Sequence, residues 1–124
     1  MNIRMIASDI DGTLIPYGHP LTDETRRAVA DCWRAGIPVV LCTGRWFGGV
    51  NSAATAFSLP DSAPVICCSG GMIARVSGET LFTFPIPRDQ ARLAYELTRD
   101  IGLLFLGFAD KMLYVGEFGE NLGK

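Results

Sequence analysis

The chain has 124 residues, 48% of them hydrophobic, and a formal net charge of −2. That is enough for one modest domain with a core. A pI near 5.3 excludes the electrostatic footprint of a nucleic-acid or anionic-membrane binder. No apolar run approaches the ~20 residues of a membrane span. The N-terminus lacks the apolar core and cleavage site of a signal peptide, so the cytoplasm is the expected compartment.

The first predicted element is a buried strand over Ile3–Ala7. It leads into Asp9-Ile10-Asp11-Gly12-Thr13-Leu14. Residues i and i+2 of a strand share a side, so Asp9 and Asp11 are expected to face one crevice at the carboxyl end of that strand. Two carboxylates this close either raise one pKa or hold a cation between them. Asp-Gly is also a common turn dipeptide, and it is the apolar lead-in that favours a site over a plain turn. A Pro- and Gly-rich loop follows from Pro16 to Pro20, with His19, the only histidine, more at home as a solvated side chain than as a base.

A helix is predicted from Thr22 to Ala35, with Thr22 as N-cap, Asp23 and Glu24 in the first turn, and Gly36 as its stop. Ile37–Cys42 reads as a second buried strand closing in Thr43-Gly44-Arg45. Strand, helix, strand at this spacing is a βαβ unit with parallel strands, which brings Thr43 beside Asp9. A threonine hydroxyl and the amides of a glycine turn are good phosphate donors. Arg45 reads equally as a phosphate contact or as a surface residue starting a helix.

A weaker helix over Phe47–Phe57 is opened by Gly48 and Gly49. A third buried strand, Pro64–Cys68, ends in Ser69-Gly70-Gly71. Met72–Val76 and Thr80–Phe84 form a predicted hairpin. Pro85-Ile86-Pro87 is a stiff linker, and a domain boundary is expected there, separating 1–84 from 85–124. The second segment is predicted to hold a helix over Arg88–Ile101, then an antiparallel pair, Leu103–Phe108 and Met112–Val115, turning at Asp110-Lys111. The four cysteines, Cys32, Cys42, Cys67 and Cys68, lack metal-ligand spacing and read as reduced core thiols.

The run Asp9–Leu14 matches every position of Asp-x-Asp-Gly-Thr-[Leu/Ile/Val]. It thereby resembles the first motif of the haloacid dehalogenase-like phosphohydrolases. Thr43-Gly44-Arg45 at the end of the next strand is similar to the second motif of their Cof-type branch. Ser69 stands where that branch commonly has Asn. The resemblance implies a doubly wound α/β parallel sheet, incomplete here, followed by the start of an α/β cap. It implies Asp9 as nucleophile, Asp11 as general acid and then base, and Gly12, Thr43, Gly44 and Arg45 around the phosphate. Mg²⁺ would sit between the Asp9 carboxylate and the Asp11 backbone carbonyl. The substrate would be a small phosphorylated metabolite, similar to a sugar phosphate.

The family's third motif, a Lys, and its fourth, an acidic cluster, have no counterpart in this sequence. The only lysines are Lys111 and Lys124. The resemblance thus covers the N-terminal half of a Cof-type protein. Three alternatives stay open: an inactive fragment that folds and binds phosphate or a partner, a receiver-type signalling domain, and a phosphomutase of the same superfamily. In the resembled fold the first strand is central. With the later strands absent, Ile3–Ala7 becomes an edge, apolar surface at Ile6, Ile10 and Trp33 is expected to be exposed, and a homodimer through that strand is expected.

Overall fold

The computed structural model describes residues 2–116. Contacts divide the chain into two compact units, one ending at Phe84 and one beginning at Pro85.

The first unit contains β1 (Ile6–Ser8), α1 (Asp23–Arg34), β2 (Val39–Cys42), α2 (Phe47–Ala56), β3 (Pro64–Cys67), β4 (Met72–Arg75) and β5 (Thr80–Thr83). Its five strands lie in the order β1-β2-β3-β4-β5, so β1 is an edge among the described residues. The pairs β1–β2 and β2–β3 are parallel, while β3–β4 and β4–β5 are antiparallel. The α/β class and the parallel βαβ units stand as expected.

β1 starts three residues later than the sequence pattern suggests. Its partner β2 begins only at Val39, because Pro38 has no N–H and offers just its carbonyl, which accepts from Ile6 N at 2.9 Å. Ile3 and Met5 are left about half exposed, at 49% and 56%. β3 also ends early. Cys68 takes a left-handed φ of 53° and leaves the strand in a short 3-10 turn.

The register assigns the two faces of the sheet. Val39, Leu41, Val65, Cys67 and Ala74 share one face, and all are buried in one cluster with Val29 of α1 and Val50, Ala53 and Ala54 of α2. Phe57, just past α2, is fully enclosed there. Thr22 caps α1 by accepting from Thr25 N at 3.2 Å. The opposite face carries Ala7, Val40, Cys42, Ile66, Ile73 and Phe82, of which only Val40 is buried. Both helices of this unit therefore pack on one side of the sheet.

The expected exposure of Ile10 is wrong. Ile10 is fully buried in the core. Its carbonyl accepts from both Thr13 N and Ile15 N, which folds the chain back in a tight turn, while its side chain continues the core-facing side of β1 that carries Ile6. Ile6 and Trp33 are half-buried and pack against the same cluster.

The second unit contains α3 (Arg88–Asp100), β6 (Leu106–Ala109) and β7 (Met112–Val115). The helix ends through Gly102 at φ +71°, with Leu103 N donating to Thr98 O at 2.8 Å, a Schellman closure. That use of Leu103 is why β6 starts at Leu106 and not at Leu103. Asp110 and Lys111, both at positive φ, make the tight hairpin turn between β6 and β7. Tyr95 and Phe105 meet edge to face, with centroids 5.6 Å apart. Lys124 lies outside the described residues. Among those residues no helix is long and apolar enough to cross a membrane.

Candidate active site

The carboxyl ends of the three parallel strands gather the residues singled out in the sequence. Asp9 follows β1 directly and is exposed, while Asp11 is half-exposed beyond the inward-pointing Ile10. The acids thus stand on either side of a core anchor, at the crevice edge where open α/β sheets take their ligands.

Asp11 is held by Arg45. The guanidinium donates from Nε to Asp11 Oδ2 at 2.8 Å and from a terminal nitrogen to Oδ1 at 2.5 Å. This two-pronged geometry is the strong form of an Arg–carboxylate pair. The Arg45 hydrogen bond pulls Asp11 below its ordinary pKa, and Asp11 with Asp9 keeps the guanidinium charged. Arg45, read from sequence as a phosphate contact or a surface residue, here bolts the loop after β2 to the loop after β1.

Among the described residues Thr43 is the one polar residue that is buried. Its hydroxyl oxygen accepts from Arg45 N at 3.1 Å, which leaves the hydroxyl hydrogen to give to a ligand. The loop after β3 is laced to the same place: Ser69 N donates to Thr43 O at 3.2 Å and Cys68 N to Arg45 O at 2.8 Å. A side-chain carbon at Gly44 would come within 3.3 Å of Ser69 Oγ. Ser69 therefore flanks the Thr43-Gly44-Arg45 turn directly. Cys68 and Ser69 both sit at φ 53°, a conformation that costs a non-glycine residue about 1–3 kcal/mol. Their two amides are what hold that turn.

Gly12 is required by its φ of +82°. Its N–H is given to Ile15 O at 2.8 Å, so in this arrangement it contributes shape and not that donor. The sequence reading passed over Tyr17. Its ring lies on Gly12, where a side-chain carbon would stand 2.5 Å from Cε2. The available signal was a Pro16-Tyr17-Gly18 turn so soon after the acid pair. Cys42, read as a core thiol, is pushed up in pKa by burial and then by the charge of Asp9, which places it close to that acid. His19 is exposed in the loop that follows the acid pair.

Hard oxygen donors suit Mg²⁺ in kind. Among the described residues, however, no group of three or more His, Cys, Asp or Glu side chains converges on one point. The Asp11 carboxylate is also engaged by Arg45. The ligands that the resemblance implies, the Asp9 carboxylate and the Asp11 carbonyl, would fill two positions of the six that Mg²⁺ takes.

The family profile of the haloacid dehalogenase-like hydrolases matches residues 6–122. The chain belongs to that family. The Bacillus subtilis protein YxeH is 29% identical over 113 residues, covering 90% of this chain and 42% of its own. The 5-amino-6-(5-phospho-D-ribitylamino)uracil phosphatase of Bacillus subtilis is 26% identical over 122 residues, covering 98% of this chain and 48% of its own. The pyridoxal phosphate phosphatase of Escherichia coli is 29% identical over 124 residues, with 97% and 44% covered. This haloacid dehalogenase-like chain thus spans less than half the length of these relatives.

Solved structures agree. A haloacid dehalogenase-like hydrolase from Bacillus subtilis superposes with a TM-score of 0.77 at 27% identity, over 94% of this chain and 40% of the other. One from Bacteroides thetaiotaomicron has the same fold, with a TM-score of 0.80 at 22% identity, over 94% of this chain and 44% of the other. The matched part is the N-terminal part of the family fold, Cof-type in its motifs.

Proposed function

We propose that the protein to which this chain contributes is an Mg²⁺-dependent phosphohydrolase of small phosphate monoesters, working through an aspartyl-phosphate on Asp9. The observation that carries this is the convergence of Asp9, the Arg45-clamped Asp11 and the buried Thr43 hydroxyl at the ends of adjacent parallel strands. The names of two relatives, which act on a ribitylaminouracil phosphate and on pyridoxal phosphate, support a small phosphorylated metabolite as substrate.

The steps follow from the groups present. An Asp9 carboxylate oxygen attacks phosphorus and the bond to the leaving oxygen breaks. Asp11 delivers a proton to that oxygen, then takes one from the water that hydrolyses the aspartyl-phosphate and restores Asp9. To carry a proton Asp11 must be released by Arg45, and an incoming phosphate offers the guanidinium a competing anion. Thr43 donates its hydroxyl hydrogen to a phosphoryl oxygen, and the Gly44 turn lets the backbone come close. Asp9 and the Asp11 carbonyl would hold Mg²⁺, which offsets the repulsion between nucleophile and phosphate. We place the protein in the cytoplasm, a reading supported by four unpaired cysteines. We also propose that a second copy pairs along the β1 edge, which is unpaired among the described residues.

A second reading is that this length of chain binds phosphate without turning it over. It is favoured by the lack of any lysine in the first unit, since Lys111 belongs to the β6–β7 turn, and by the absence, among the described residues, of any convergent group of three His, Cys, Asp or Glu side chains. Hydrolysis of p-nitrophenyl phosphate with Mg²⁺ separates the two. Turnover that Asp9→Asn abolishes supports the hydrolase. Phosphate binding with no turnover supports the second reading. Turnover that survives Asp9→Asn defeats the nucleophile assignment.

A further inference from the structure

Tyr17 lies against the acid loop and still faces water. It is 79% exposed, although its ring packs on Gly12, the residue next to Asp11. Its position is fixed by the backbone. His19 N donates to Pro16 O at 3.1 Å and Gly18 takes φ +73°. Those are the closing bond and the glycine of a type II turn, with Tyr17 as its first central residue. Gly12 N–H is tied to Ile15 O, which pins the loop entering that turn. The Cδ2–Cε2–Cζ side of the ring therefore rests on the glycine next to Asp11, and most of the ring is open to solvent.

An exposed aromatic ring without a partner is common. One held by a closed turn on a glycine that only a side-chain-free residue can supply, at the rim of a phosphate site, is a platform. Trp46, on the neighbouring loop, shows the contrast: its indole folds over Gly48, within 2.5 Å of where a side-chain carbon would be, and is half-buried. Trp46 closes a helix start, and Tyr17 is left open.

We infer that Tyr17 is a specificity-determining residue whose ring stacks on a flat ring in the leaving group, so that the preferred substrates are phosphate monoesters of ring-bearing alcohols. The inference rests on the phosphohydrolase reading and deepens it. Once the phosphoryl group is seated between Asp9 and Thr43, the ester oxygen points to the Asp11 side, where that acid protonates it. The alcohol then lies over Gly12 and Tyr17. Offset stacking of two rings adds to simple burial, which corresponds to roughly a three- to ten-fold gain in affinity.

The test is binding to the full chain, followed by amide and aromatic chemical shifts. Three probes are compared: inorganic phosphate, glycerol 2-phosphate and phenyl phosphate. All three are expected to move the Thr43 and Gly44 amides. Phenyl phosphate is expected to bind roughly three- to ten-fold tighter than glycerol 2-phosphate and alone to shift the Tyr17 ring resonances. Tyr17→Leu, apolar but not flat, should erase the difference, while Tyr17→Phe should keep it. Unchanged shifts at Phe57 and Leu41 check that both variants fold. Phosphate binding with no preference for the ring, or a preference that survives Tyr17→Leu, overturns the inference and leaves the phosphohydrolase reading standing. Failure of all three probes at Thr43 overturns that reading and the inference with it.

Discussion

The two units of this chain use apolar residues in similar patterns and to different ends. In the first, Leu41, Val50, Phe57 and Val65 are fully buried between one sheet face and two helices. In the second, α3 has an equally clear apolar stripe, yet Leu93, Leu97 and Ile101 are 56%, 57% and 70% exposed, and the helix has no buried residue. An amphipathic pattern reports what a face is suited to pack against. It does not report that the partner is present among the described residues. The largest effect expected from this contrast is in stability. Phe57→Ala should cost about 3–5 kcal/mol, as truncating a buried aromatic does. Leu97→Ala should change stability by about 0.5 kcal/mol or less. Urea denaturation of both variants measures this, and comparable losses would break the contrast.

The first unit itself has an unfinished side. β1 is an edge among the described residues, and the sheet face bearing Ala7, Cys42, Ile66, Ile73 and Phe82 is not fully buried. A few hundred Å² of apolar surface at ~25 cal/mol per Å² is worth several kcal/mol, comparable to the stability of a small domain. The chain is therefore expected to self-associate at micromolar concentration, most simply as a twofold pair. Light scattering should give a mass above the 13.4 kDa of one chain. A soluble monomer with exchange-protected amides along Ile6–Ser8 would count against a pairing through this edge.

Which parts of this were legible in the sequence follows from how local their causes are. Thr22 as N-cap, Gly36 as stop and the Asp110-Lys111 turn are set by a few neighbouring residues, and they stand where the sequence pattern puts them. The α/β class and the meeting of the loops after β1 and β2 follow from right-handed βαβ geometry. The start of β1 was misjudged because it depends on Pro38, distant in sequence, failing to donate to the ladder. Ile10 was misjudged because it continues the face of β1 that carries Ile6, and that face is the one covered by α1 and α2. At the site, the residue types were legible, but the partner of Arg45 was not. A guanidinium's choice between a phosphate and a carboxylate depends on which anion is within reach, and that is a tertiary fact.

Metal binding sharpens the comparison further. With the Asp9 carboxylate and one carbonyl as its protein ligands, Mg²⁺ should bind this length of chain in the millimolar range or weaker. At 1 mM Mg²⁺ that corresponds to about 0.4 kcal/mol of stabilisation or less. The amide shifts it causes should be confined to the loop after β1 and be lost in Asp9→Asn. Micromolar affinity by calorimetry would mean that further ligands converge there.

The smallest expected effect is the ion pair between Asp11 and Arg45, and its sign can be worked out. The Arg45 hydrogen bond lowers the folded pKa of Asp11 below its ordinary 3.8, against a smaller opposing contribution from burial. A carboxyl lowered on folding stabilises the fold fully above its unfolded value, and that stabilisation is lost as pH falls through the folded value. The side chains are 35% and 40% exposed, so screening by water holds the contribution to about 0.5 kcal/mol or less. Between pH 7 and about pH 5 this pair should leave stability unchanged. As pH falls from there through the ordinary value of 3.8 and then through the lowered folded value, stability of the first unit should decline, and Arg45→Ala should flatten that part of the curve. The second unit supplies the control: Arg99 and Asp100 also form an ion pair, between neighbours on the helix surface, and Arg99→Ala should leave the acid limb of the first unit as it was. Urea midpoints measured from pH 7 to pH 2.5 for the three proteins decide it. An acid limb that Arg45→Ala does not alter would mean that other carboxylates set it, and that the clamp on Asp11 orients the acid without stabilising the fold.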